Sequence, residues 1–329
     1  MKKFSDKFVK GTGVMFHHFH DNKKNLKSQG SISKFDLLKI IKYIGVKNIL
    51  TPFEFQKKIR MNRLKKGESV LTFDDGIKSQ VNVALPILNR YNLKAFFFVN
   101  SSVFSNKKCK LELYRHIRNN EFKSVEDFYK MFFSLLNEKY KKIIFDKNIL
   151  NNPQMNKKLF PYYTDNDIRF RVLRDNFLPQ KEYENIMLKI IKLKKLKANQ
   201  IYNKVYFSKN DLKKIHREGH VIGLHSFSHK DKIELLSKKE KHNEYRKDIN
   251  NLSNILGINK DKIFSMSHPN GSFDTHILKY LKKKKISIGF MQVQKTYYKL
   301  DNKIKKFYKN LMLPREDHSI ILKFIKNEK

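Results

Sequence analysis

Short apolar runs recur along this chain, each followed by a polar cluster and then by an amphipathic stretch. GVMF after Thr12, VLTF at 70–73, KAFFFVN at 94–100, HVIGL at 220–224, KIFSM at 262–266 and ISIGF at 286–290 have the length and composition of buried strands. Helical spacing fills the gaps. Residues 31–45 place Leu37, Leu38, Ile41 and Ile44 on one face, with Gly45 as a stop. Residues 79–91 read as a helix interrupted or bent at Pro86. Residues 208–219 open on Ser208 and Asp211 and close on Gly219. Residues 237–257 pair Ser237 with Glu240 as a capping box, carry the stripe Tyr245, Ile249, Leu252 and Ile255, and end at Gly257. Asp274 starts another helix.

Alternating strands and helices predict an α/β fold with a parallel sheet or barrel. The rhythm breaks between about 103 and 205, where lysine, asparagine and aromatics dominate and VEDFYKMFFSLL reads as helix. This stretch is expected to be a helical insertion within a single domain spanning 1–329.

Composition adds limits. With 40% hydrophobic residues and only 11 Gly and 7 Pro in 329, the chain has material for a large core and is neither fibrous nor disordered. Its lone cysteine, Cys109, cannot form an internal disulfide. The first apolar run, Val14 to Phe16, is far shorter than the core of a signal peptide, and no run approaches the roughly 18 apolar residues of a membrane span. The expectation is a soluble, cytoplasmic protein.

The formal charge of +40 attracts anionic surfaces in general. The lysines are spread over the whole chain, which argues against a specific nucleic-acid site. In LKIIKLKKLKA (188–198) the apolar positions scatter around the helical wheel, so no apolar membrane face forms. Peripheral membrane contact stays open.

Three polar clusters, DDG at 74–76, HSFSH at 225–229 and SHPNG at 267–271, sit just after strands. In parallel α/β folds the carboxyl ends of the strands share one rim, where active sites gather. Asp75, His225 and His229 form a two-histidine, one-carboxylate set suited to one divalent metal, Zn²⁺ or another of the first row. Adjacent side chains at a strand end point in different directions, so Asp74 stays free to act as a general base. The alternative is that one of the two carboxylates caps the next helix. There is no G-x-S-x-G elbow and no phosphate-binding G-x-x-x-x-G-K-[ST] loop.

TFDDG (72–76) and HSFSH (225–229), in this strand and helix order, resemble the polysaccharide deacetylases, the NodB-homology or carbohydrate esterase 4 family. The resemblance covers about 12–100 and 205–317, and implies a distorted (β/α) barrel that removes acetyl groups from N- or O-acetylated sugars with a divalent metal. Carried over, Asp74 is the base and Asp75, His225 and His229 hold the metal. The family's third motif, R-x-P-[FY], falls on Ser267, His268, Pro269 and Asn270, without its arginine or its aromatic. The main-chain N–H of Asn270 still suits the oxyanion role. Arg315, in LPRED, is the stand-in for the missing arginine, and His318 the candidate proton donor to the leaving group. His17, matching a first-strand Y-H of many relatives, either lines the site or is structural. An acetylated sugar or glycan is then the partner, in surface-polysaccharide or glycan synthesis. The alternative is a catalytically silent relative that binds a glycan or an anionic polymer.

Overall fold

The computed structural model describes residues 13–21, 23–106, 108–151, 163–292 and 301–327. Its strands are β1 (Gly13–Phe16), β2 (Phe19–His20), β3 (Ile32–Ser33), β4 (Val70–Phe73), β5 (Phe96–Val99), β6 (Val221–Leu224), β7 (Ser265–Ser267), β8 (Ile288–Phe290) and β9 (Arg315–Asp317). Seven of them form one sheet in the order β8-β7-β6-β5-β4-β1-β9, and every ladder in it is parallel. The two ends of that sheet nearly meet. Phe290 bridges to Leu313, with Met291 N–H donating to Leu313 O (2.9 Å) and Leu313 N–H to Gly289 O (2.8 Å). The result is a nearly closed seven-stranded parallel barrel with helices around it. The short strands β2 and β3 pair separately.

Strand periodicity decides what fills the barrel. Val70, Phe96, Phe98, Val221, Ile288, Phe290 and Leu313 form one buried cluster with Leu50, Phe55 and Leu64. The alternate positions carry a second row: Phe16 stacks on Phe73 at 5.1 Å and Phe73 on Phe97 at 4.7 Å, straight across three neighbouring strands. Close packing inside leaves no room for side chains at two glycines. A Cβ at Gly223 would lie 2.6 Å from the Phe98 ring and the Ser265 hydroxyl, and one at Gly13 would crowd Phe290 and the Arg315 stem.

Several helices start where the capping chemistry predicts. Ser33 with Asp36, Ser208 with Asp211 and Ser237 with Glu240 make reciprocal capping boxes, and Asp274 accepts from Ile277 N–H. Two expectations shift. The break in 79–91 falls before the proline: Gln80–Ala84 is a π turn, and Pro86 sits in the first turn of Leu85–Arg90, where no N–H is needed. Strand β7 begins at Ser265 rather than 262, because Lys260–Lys262 wind into a 3₁₀ turn capped by Asn259.

The chain divides into two compact units, 1–109 with 205–329, and 110–204. The second unit is helical, with Leu111–Asn120, Val125–Ser134, Glu138–Phe145, Asp165–Val172 and Gln180–Leu193 as its longer elements. Phe128, Tyr129, Phe132, Phe170, Met187 and Ile190 are buried in it. Its basic stretch buries Ile190 but leaves Leu188 and Leu193 exposed, as the scattered wheel implies. Among the described residues, no helix is long and apolar enough to cross a membrane.

Candidate active site

Register places the two aspartates. Phe16 and Phe73 are cross-strand partners, so His17 and Asp74 leave β1 and β4 side by side, and Asp74 N–H donates to Phe16 O at 3.1 Å. Buried Gln80 ties the two ends together, its Nε2 donating to His17 O (3.0 Å) and Asp74 O (2.7 Å). The chain then turns sharply. Asp75 has φ +73° and Gly76 φ +65°, a left-handed geometry that is costly for a non-glycine residue and gathers at functional sites. Ser226 and His229 share it. Neither aspartate caps the following helix, whose Ser79 end has no side-chain cap.

The two carboxylates part company as expected. Asp74, 2% exposed, receives both arms of the Arg315 guanidinium: Nη1 to Oδ1 and Nη2 to Oδ2, each 2.7 Å. Arg315 is itself 1% exposed and fully engaged. Its Nε donates to Met291 O (2.8 Å), Nη1 to Thr72 Oγ1 (3.2 Å) and Nη2 to Ser267 Oγ (2.8 Å), while Ser267 Oγ–H donates to Asp74 Oδ2 (3.1 Å). Burial alone would raise the Asp74 pKa. The charges of Arg315, His225 and His17 outweigh it and hold the group below its ordinary value.

Asp75 turns to the histidines. Its Oδ1 lies 3.2 Å from His225 Nε2 and 3.4 Å from His229 Nε2, and the donor atoms of the three residues all fall within 4.8 Å of one another. His225 Nδ1 lies 2.9 Å from Ser267 O, which can only accept, so this nitrogen carries a proton and Nε2 is the nitrogen that turns to Asp75 and that a cation would use. Burial lowers the His229 pKa, with the neighbouring His225 adding to it. Asp75 Oδ1 is buried without a hydrogen bond. A carboxylate oxygen left without a hydrogen bond beside two imidazole nitrogens fits a divalent cation.

The helix Lys238–Leu256 holds the HSFSH loop from beneath with two acids one turn apart. Asp248 accepts from Ser101 N–H (2.9 Å) and His225 N–H (3.1 Å); Glu244 accepts from Ser228 N–H and Oγ–H (both 2.8 Å). Burial pushes the Asp248 pKa up to about 7 against the pull of these donors. Sequence reasoning missed Asp248, Glu244, Gln80 and the Ser267 hydroxyl. Only Asp248 left a trace there: an acid inside the apolar stripe Tyr245–Ile249–Leu252.

The remaining candidates divide. His17 Nε2 lies 4.0 Å from Asp74 Oδ2 and 3.9 Å from Asp75 Oδ2, with its side chain a quarter exposed. His318 does not join this group. It is buried against Phe16, its ring nitrogens facing Met15 O (3.3 Å) and Gly30 O (3.2 Å), so its hydrogen-bonding capacity is spent on main chain. Asn270 follows β7 with φ +52°, its side chain donating to Asp231 (2.5 Å).

Comparison with known proteins follows the same lines. The polysaccharide deacetylase family profile matches residues 62–126 and 175–289, more than half of the chain. No curated protein matches. Among solved structures, the fold is similar to the Streptococcus pyogenes deacetylase PplD in complex with acetate (TM-score 0.53, 13% identity, 96% of this chain and 98% of that one). It is also similar to a de-N-acetylase from Aggregatibacter actinomycetemcomitans (0.52, 14%, 96% and 98%) and to BC0361, a polysaccharide deacetylase from Bacillus cereus (0.50, 13%, 96% and 69%). At such identities these likenesses speak to fold alone, and it is the profile match, with its aspartate pair and both histidines inside the matched segments, that settles membership: the chain belongs to the polysaccharide deacetylase family.

Proposed function

We propose that this protein is a metal-dependent carbohydrate deacetylase, a hydrolase that releases acetate from an N- or O-acetylated sugar or glycan, in surface-polysaccharide or glycan synthesis. The observation that carries the proposal is the division of labour between adjacent aspartates, one locked to Arg315 and one facing two histidines. Asp75, His225 and His229 would hold the metal, Zn²⁺ being the first candidate. When bound, such a cation supplies a Lewis acid that polarises the acetyl carbonyl and makes water easier to deprotonate.

Asp74 is the general base. Arg315 and Ser267 fix its orientation and keep it ionised, so it is ready to accept a proton from the attacking water. Asn270 offers its main-chain N–H to the developing oxyanion. The leaving nitrogen or oxygen needs a proton, and His17 is better placed than His318 to give it. It stands within 4.0 Å of both carboxylates and reaches solvent, whereas His318 faces two main-chain carbonyls.

The absence of the third-motif arginine favours a catalytically silent relative. Arg315 supplies a guanidinium to the base from β9 instead, which supports the active reading. The test is metal analysis with acetate release from a panel of N- and O-acetylated sugars. Protein stripped with a chelator should lose acetate release and regain it on adding Zn²⁺, and Asp75→Ala, His225→Ala and His229→Ala should each lose most bound metal. Full metal content in all three variants would place the site elsewhere.

A further inference from the structure

Arg118, in the helix Leu111–Asn120, is 6% exposed. Among the described residues its only hydrogen bond runs from Nε to Oδ1 of the adjacent Asn119, at a long 3.4 Å; its two terminal nitrogens have no protein acceptor there and keep the residue's small solvent opening. Asn119 Nδ2, beside it, is fully buried without a partner. The nearby acid is committed elsewhere: Asp167 accepts from Tyr129 Oη–H (2.5 Å) and Thr164 N–H and lies 3.7 Å from Arg171 Nε. More arginines surround the position, each with an acid of its own: Arg174 donates to both carboxylate oxygens of Asp175 (2.6 and 3.0 Å), Arg115 lies 4.0 Å from Glu112, and Arg171 is the one beside Asp167. Arg118 and Arg174 each lie 5.5 Å from the centre of the Phe170 ring, and Arg171 stacks on Tyr163 at 4.3 Å. Burial, then the charges of Arg171, Arg115 and Arg174, push the Arg118 pKa down to about 10, so it is still charged at neutral pH.

A buried guanidinium without a counter-charge is costly, and donors without acceptors add to the cost. Both defects are met by one kind of ligand: an anion with several acceptor oxygens, taken bidentately by the fork of Arg118. The tetrahedral oxygens of a phosphate can meet the Arg118 fork and the Asn119 amide together. We propose that the helical unit 110–204 carries an oxyanion site of its own, built on Arg118 and Asn119 with Arg171 and Arg174 beside them, and that its ligand is a phosphate group, free or borne on a sugar. The site uses no residue of the barrel rim and does not depend on the catalytic proposal.

Calorimetric titration of the full chain at constant ionic strength tests this, with inorganic phosphate in one arm and glucose 1-phosphate in the other. The parent should bind one equivalent in at least one arm. Arg118→Met, which keeps an unbranched apolar stem and removes charge and fork, should weaken that binding roughly 10- to 100-fold, the worth of hydrogen bonds to a charged group. Arg118→Lys, which keeps the charge, should fall between. Equal affinity in both arms assigns phosphate itself; binding of the sugar phosphate alone assigns a phosphorylated sugar. In phosphate-free buffer Arg118→Met should melt no lower than the parent, because it removes an uncompensated cation. Absence of binding in both arms, unchanged affinity in Arg118→Met and Arg118→Lys, or a sharp loss of melting temperature in phosphate-free Arg118→Met would overturn the proposal.

Discussion

Two arginines are buried among the described residues, Arg315 and Arg118, and their surroundings differ in kind. At the barrel rim, Arg315 makes five hydrogen bonds, two of them to Asp74. In the helical unit, Arg118 makes a single long one. The first is a closed arrangement in which charge, donors and acceptors balance within the chain, and its purpose is to hold another residue. The second is open, and an open cation in an interior asks for something from outside. The same side chain thus serves as an internal brace in one place and as a receptor in the other.

The largest effect should come from breaking the closed arrangement. Arg315→Ala leaves Asp74 buried and unpaired, which typically costs about 3–5 kcal/mol. Urea unfolding should show that loss, with Arg315→Lys recovering only part of it, since an ammonium cannot bond both carboxylate oxygens in the fork geometry. A loss under 1 kcal/mol for Arg315→Ala would mean that solvent reaches Asp74 and that the two arginines are not so different after all.

Next in size is the support beneath the histidines. Asp248→Ala strands Ser101 N–H and His225 N–H, and a buried donor without an acceptor costs about 1–3 kcal/mol. Metal affinity should fall with it, because His225 loses its anchor. Unchanged metal affinity would show that the histidine loop holds its shape without the helix.

Much of this was legible in the sequence, and the reasons are local. Strands such as VLTF and FFFV announce themselves because a strand buried on both faces is apolar almost throughout. The grouping of Asp75, His225 and His229 was legible because the three lie within short motifs at strand ends. What holds Asp74 was harder to see, since Arg315 is 241 residues away and only barrel closure brings β9 beside β1. Gln80 and Ser267 were invisible for a different reason: an amide and a hydroxyl look like surface residues until burial gives them work. His318 misled because spacing after a strand does not say which way a ring turns.

Acidity gives a smaller, signed test in the metal-free protein. Asp74 has a folded-state pKa below its ordinary 3.8, so its contribution to stability is complete above 3.8 and is lost as pH falls through the lower folded value. Asp248 works in the opposite sense. Raised to about 7, it keeps in the fold a proton that the unfolded chain releases near 3.8, so it lowers stability as pH rises from about 4 to 7. Asp248→Ala should therefore flatten the profile between those values, and Asp74→Asn should soften the acid limb. Parent-like slopes in both variants would assign the pH dependence to other groups.

The central claim is that Asp74 takes the proton while Asp75 faces the metal. Acetate release by Asp74→Asn, measured on protein whose metal content is assayed in the same preparation, tests it most directly. A positioned general base contributes roughly 10²–10⁴-fold, so the variant should lose about that much in rate while keeping the parent's metal, whereas Asp75→Asn should lose the metal itself. Acetate release at the parent's rate from metal-loaded Asp74→Asn would contradict the account.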